Sequence, residues 1–161
     1  VSFSAPMPPS RLVVFAALLA IACAKSVPTE SVVDPRPGFD RQEKVWSDAG
    51  VTSYTMEQEL VKFGGAAADA RLTVRNGVIT DAVYVASGDL VPVGTRSLYH
   101  TVPQLFALMR SVYATSPSKF DVLYDATLGY PVQIIVDPKA AISDDDYVII
   151  TGKVLKLTAG R

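Results

Sequence analysis

"ARLTVRNGVITDAVYV", residues 70–85, decides how the rest of the chain is read. Asn76-Gly77 is the strongest short hairpin signal, because a two-residue type I′ turn needs positive φ at both central positions and Asn and Gly reach it at least cost. With that loop Arg75 faces Val78. Period-two alternation then gathers Leu72, Val74, Ile79, Val83 and Val85 on one side, and Arg71, Thr73, Arg75, Thr80 and Tyr84 on the other. One side is apolar and the other mostly polar, as expected of an antiparallel sheet with one face on a core and one toward water.

Working outward, "SYTMEQELVKF" (residues 53–63) sets Tyr54, Met56 and Leu60 against Thr55, Glu57 and Glu59, with Gln58 breaking the alternation, and predicts a strand. Gly64-Gly65 and the alanines after them read as a small flexible loop, without the lysine of a phosphate-binding loop. Before the strand, "GFDRQEKVWSDAG" (residues 38–50) predicts a short helix, with Asp40 near its start, Phe39, Val45, Trp46 and Ala49 available for one face, and Gly50 as its stop. A second helix is expected from Val102 to Ala114. Thr101 and Gln104 are spaced as a capping box, Pro103 suits the first turn, and Leu105, Leu108, Met109 and Val112 recur at helical spacing. Three further strands follow: Lys119 to Tyr124, Tyr130 to Asp137 and Tyr147 to Leu157. Short antiparallel connections make the fold class α+β, an antiparallel sheet with one or two packed helices. The order of helix and three strands, twice over, suggests a degenerate (αβββ)x2 arrangement, although identity between the halves is negligible.

The N-terminus has a different character. Leu12 to Ala22 is an unbroken apolar run of eleven residues, with Arg11 before it and the small residues Ala20, Ala22 and Cys23 at its end. That is the layout of a secretory signal, and it is too short to span a bilayer, which needs about 20 residues. "MPPSR" from Met7 makes a normal short n-region, so Met7 is a candidate start. At Ala22/Cys23 the pattern resembles the lipobox of bacterial lipoproteins, in which the cysteine after the cut carries a diacylglyceryl group on its sulfur. Cys23, the chain's one cysteine, would then be kept for lipidation. The family's usual Leu three places before the cysteine is Ala20 here, and Ala20-Ile21-Ala22 also fits ordinary signal cleavage, which would leave a free thiol. Residues 1–22 are thus read as a signal peptide and residues 23–37, with their prolines, as a lipidated cysteine and tether. Residues 38–161 form a single globular domain.

Charge narrows the partners. The 16 acidic and 15 basic residues nearly cancel. Loss of Arg11 with the signal leaves 14 basic residues, scattered along the chain, so nucleic acid is not an expected partner. A lone cysteine closes no disulfide within the chain, so packing alone holds the domain.

"FDVLYDATLGYPVQIIVDPKAAISDDDYVIITGKVLKL" (residues 120–157), taken with "SYTMEQELVKF", "LTVRNGVI" and the "LFALMRSV" helix, is similar to an uncharacterised bacterial envelope family, domain of unknown function 6174, over about residues 46–157. The most specific element is Tyr124-Asp125 followed by Gly129-Tyr130-Pro131, an apolar strand ending in Asp137, and an acidic cluster before the last strand. The resemblance implies a secreted or anchored domain and assigns no activity. Relatives often carry a Cys-aromatic-Cys motif where this chain has Lys62-Phe63-Gly64, so no cysteine-dependent role carries over.

Three places carry candidate chemistry, each with a plain structural reading beside it. In "YDATLGYP", Tyr124 and Tyr130 would present phenols beside the Asp125 carboxylate at a hairpin tip, a set suited to hydrogen bonding a small polar ligand or an envelope protein's backbone. The same residues suit a turn, since Asp opens turns, Gly129 supplies positive φ and Pro131 marks an edge or bulge. Asp144-Asp145-Asp146 offers hard oxygen ligands but lacks the spacing and Gly of an EF-hand loop, so no metal is expected and the cluster reads as a solvated turn. His100, the single histidine, precedes the cap residue Thr101, and any Ser-His mechanism would run through it. No GxSxG, HExxH, CxxC or GxGxxG occurs and no cofactor is expected. These readings converge on a lipid-anchored envelope domain that binds rather than catalyses. The rival is a small secreted or periplasmic hydrolase using Tyr124, Asp125 or His100.

Overall fold

A computed structural model of the chain describes residues 35–62, 65–139 and 145–158. Cys23, the apolar run before it, Phe63, Gly64 and Asp144 lie outside the described residues. The first helix, α1 (Pro35–Asp48), begins inside the segment read as tether. Prolines fit there because the first-turn N–H groups of a helix have no partner to lose. It ends where expected, with Gly50 at φ 60. Phe39 and Trp46 are buried, whereas Val45 stays 37% exposed. The second helix, α2 (Val102–Tyr113), opens on the expected capping box: the Gln104 N–H donates to Thr101 Oγ1 and the Thr101 N–H donates to Gln104 Oε1. Val102, Leu105, Phe106 and Met109 form its buried stripe.

Among the described residues seven strands make one antiparallel sheet: β1 (Tyr54–Lys62), β2 (Gly65–Arg75), β3 (Val78–Tyr84), β4 (Lys119–Tyr124), β5 (Pro131–Asp137), β6 (Tyr147–Thr151) and β7 (Leu155–Lys156). Their order is β3-β2-β1-β6-β5-β4, with β7 pairing on β1. The class is therefore α+β, and the elements run helix and three strands twice over, with β7 added at the end. The halves meet at the sheet centre, where the first strand of one, β1, pairs with β6 of the other. α1 and α2 cover one face. Phe39 packs edge-on against Tyr113 of α2 and Phe120 of β4, and Trp46 against Tyr54 of β1. Exposed pairs such as Glu57 with Arg71 occupy the other face.

Three details depart from the sequence reading. First, β2 starts at Gly65, so the expected Gly-Ala loop after Gly64 is strand that pairs with Leu60, Val61 and Lys62. Second, the β2–β3 hairpin turns at Asn76-Gly77 with Arg75 opposite Val78, yet its register slips after Val74–Ile79, leaving Thr80 as an extra residue. Thr80 Oγ1 donates to the Thr73 carbonyl. Beyond this bulge the sides exchange. Ala82 and Tyr84 now pair with Leu72 and Ala70, while Val83 pairs with Arg71 and Val85 is 39% exposed. Without the bulge Asp81 would sit opposite Leu72, on the core side, where an unpaired carboxylate is costly. Third, the expected last strand is interrupted at residues 152–154, where the Gly152 N–H donates to the Glu57 carbonyl and buried Val154 turns inward.

Gln58 breaks the sequence alternation but not the structural one. It is 1% exposed and faces the core with Tyr54, Met56 and Leu60. Its side-chain amide donates to the His100 carbonyl at 3.2 Å and accepts from the His100 N–H at 2.8 Å. A buried amide is tolerated because its carbonyl and one N–H are spent on the segment that leads into α2.

Candidate functional site

The "YDATLGYP" turn joins β4 to β5. Asp125 Oδ1 accepts from the Thr127 N–H at 3.0 Å and the Leu128 N–H at 2.7 Å, an Asp-centred turn that engages one of the two carboxylate oxygens. The Asp125 N–H donates to the Tyr130 carbonyl, and the Gly129 N–H to the Asp125 carbonyl. Gly129 takes φ 73 and lies so close to α1 that a Cβ there would stand 2.6 Å from the Gln42 carbonyl oxygen. Both phenols turn inward. Tyr130 is 3% exposed, its ring against Trp46 and its hydroxyl accepting from the Val154 N–H. Tyr124 stacks on Phe106, and its buried hydroxyl has no partner among the described residues. Burial holds both phenols above the usual tyrosine range; a nearby Arg41 partly offsets this for Tyr124. Pro131 is buried at the start of β5, opposite Tyr124.

His100 stands apart from this turn. Its backbone is clamped by Gln58, and burial pushes its imidazole below the usual histidine value, so it is neutral at pH 7. No hydrogen bond or ring contact among the described residues links it to Tyr124 or Asp125. The acidic cluster gains a member: the carboxylates of Asp137, Asp145 and Asp146 lie within 4.8 Å of one another. Desolvation, then the charges of Asp137 and Asp145, hold Asp146 above the usual carboxylate range, and Lys119 opposes them. Such oxygens are the ligand type of a hard cation, and the end of β5 supplies the one that sequence adjacency does not bring.

Two clefts lie beside the α1–β1 connection. One, of about 360 Å³, is lined by apolar groups of Trp46, Val51, Tyr54, Pro103 and Phe106, with Glu43 at its lining. The other, of about 440 Å³, is lined equally by polar and apolar groups, the polar ones from Thr52, Ser53, Arg75, Asn76, Lys156 and Thr158. Arg75 and Lys156 are exposed and have no acidic partner among the described residues.

A family model, Family of unknown function (DUF6174), matches residues 38–155. The chain belongs to this family. The DUF6174 match runs from within α1 to the start of β7, so it takes in the "YDATLGYP" turn, His100, Gln58 and the acidic cluster, and stops one residue before Lys156. No curated protein and no solved structure matches the chain. Two residues of the DUF6174 domain, Gln58 and Arg75, escaped attention as candidates. Gln58 announced itself by breaking an alternating strand. Arg75 gave no signal, because only the approach of β7 makes it part of a cleft.

Proposed function

We propose that this chain is a cell-envelope domain, tethered to a membrane through lipid on Cys23, that works as a binding module and not as a hydrolase. The observation that carries the reading is how the candidate hydrolytic groups are employed. One oxygen of the Asp125 carboxylate accepts from two backbone N–H groups of its own turn, Tyr130 is buried, the hydroxyl of half-buried Tyr124 is closed off from solvent, and His100 serves its neighbours through its backbone. A general base must instead reach a substrate proton within hydrogen-bond distance. The anchor rests on the apolar run ending at Cys23, and among the described residues no helix is long and apolar enough to cross a membrane.

Native mass spectrometry of the protein extracted gently from its host's membranes tests both parts. A mass beginning at an acylated Cys23, with a companion protein or small molecule bound, is the expected result. Recovery from the soluble fraction with an unmodified Cys23 would remove the anchor. Turnover of ester or phosphoester substrates that Asp125→Asn abolishes without unfolding would establish the hydrolase instead.

A further inference from the structure

The cleft at the open end of β1, β2 and β7 is lined half by apolar groups, with Ala49, Val51 and Leu157 among its residues, and half by polar ones. Every polar side chain in it can donate: the Arg75 guanidinium, the Lys156 ammonium, the Asn76 amide, and the hydroxyls of Thr52, Ser53 and Thr158. Among the described residues no carboxylate lines it. Four other basic residues of the domain are matched with acids, Arg71 with Glu57, Arg110 with Glu43 and Asp40, Lys44 with Asp48, and Lys119 with Asp121, whereas Arg41, Lys62, Arg96 and Lys153 resemble Arg75 and Lys156 in standing outside these pairs. In a chain with more acidic than basic residues, two unmatched cations sharing one concavity leave an uncompensated positive potential there.

The cleft is also tied in shape. Three segments that carry the donors are fastened to one another: the Asn76 N–H donates to Ser53 Oγ at 3.1 Å, the Gly77 N–H to the Thr52 carbonyl at 2.8 Å, and the Leu157 N–H to the Ser53 carbonyl at 2.9 Å. Because Ser53 Oγ accepts from the Asn76 backbone, its own proton is free to be donated elsewhere. Donors placed in advance lower the ordering cost of binding.

We infer that this cleft is a binding site for the phosphate group of a small molecule. Arg75 supplies the planar fork that meets two oxygens of an oxyanion, Lys156 a second charge, and Ser53 and Asn76 neutral donors. A volume of about 440 Å³ has room for a phosphate and a small body attached to it. This site rests on the reading of the domain as a binding module and names the chemistry of what it binds. The phosphate could belong to a soluble metabolite or to a lipid headgroup of the membrane that the tether would keep near.

Isothermal titration of the full chain with inorganic phosphate, and separately with a short-chain, water-soluble phosphatidylglycerol below its micelle concentration, tests the site. Phosphate is expected to bind saturably, about tenfold more weakly in Arg75→Gln or Lys156→Gln, and more weakly as salt rises from about 50 mM to about 500 mM. Both side chains are exposed, so the double variant should melt with the parent. Tighter binding of the lipid analogue than of phosphate supports the site and assigns it to headgroups; equal or weaker binding supports it and assigns it to soluble phosphates. Absence of saturable binding of either probe, or binding that the double variant leaves unchanged, overturns the inference. A companion found by native mass spectrometry would in that case still uphold the binding-module reading, so the two failures are distinguishable.

Discussion

Gly129→Ala combines two separable costs. At φ 73 the residue occupies the left-handed region, where an L side chain costs about 1 kcal/mol. The added Cβ would stand 2.6 Å from the Gln42 carbonyl oxygen, 3.0 Å from Gln42 Oε1 and 3.0 Å from Val45 Cβ. Gln42 Oε1 can swing away, but the carbonyl oxygen belongs to the backbone of α1. Either the turn lifts from the helix or the helix bends, and such overpacking costs about 1–3 kcal/mol. The expected loss is about 2–4 kcal/mol, read as a lower urea midpoint at unchanged slope. Gly77→Ala is the internal control, since Gly77 has φ 78 and nothing within 4 Å of an added Cβ, leaving only the conformational cost of about 1 kcal/mol. A Gly129→Ala loss no larger than that of Gly77→Ala would refute the claim that the turn is seated on α1.

Gln58→Leu should cost about 2–4 kcal/mol in the same urea assay, because it leaves the His100 N–H and carbonyl unpaired beside the core; retention of full stability would show that water replaces the amide. Burial raises the Tyr54 phenol to about 12 against an unfolded value near 10, so the unfolded chain loses its proton first. Stability should be complete below pH 10 and fall as pH rises toward 12, a slope that Tyr54→Phe reduces in pH-dependent melting. His100 works in the opposite sense: its lowered pKa keeps the folded form neutral, so stability should fall as pH drops below about 6.5, less steeply in His100→Gln. Because Asp146 is held above the usual carboxylate range, Asp146→Asn should raise the melting temperature at pH 7, an advantage that vanishes below pH 3.8.

The parts legible in sequence were those that neighbouring residues enforce. The capping box of Thr101 and Gln104, the Asn76-Gly77 turn and the stop at Gly50 each involve groups a few bonds apart, and all three appear where their residues stand. Alternation in β1 and helical spacing in α2 likewise fixed which faces are apolar, and with them the α+β class. The "YDATLGYP" turn was equally visible as a turn. Its inward phenols were not, because whether a tyrosine faces water or core depends on Trp46 and Phe106, residues that only the packed α1 and α2 bring there.

What the sequence by itself determined about this protein was its elements, their antiparallel class and the apolar run that ends at Cys23, since these follow from local propensity and period. The tertiary structure alone decided the pairing of β1 with β6, the extra residue at Thr80 that exchanges the two sides of β3, the burial of Gln58, and the meeting of Arg75 with Lys156 in one cleft. The physical reason is common to all four. Strand twist, the fit of two helices on one face and the cost of burying an unpaired polar group act between residues distant in sequence, and a local pattern carries no record of them.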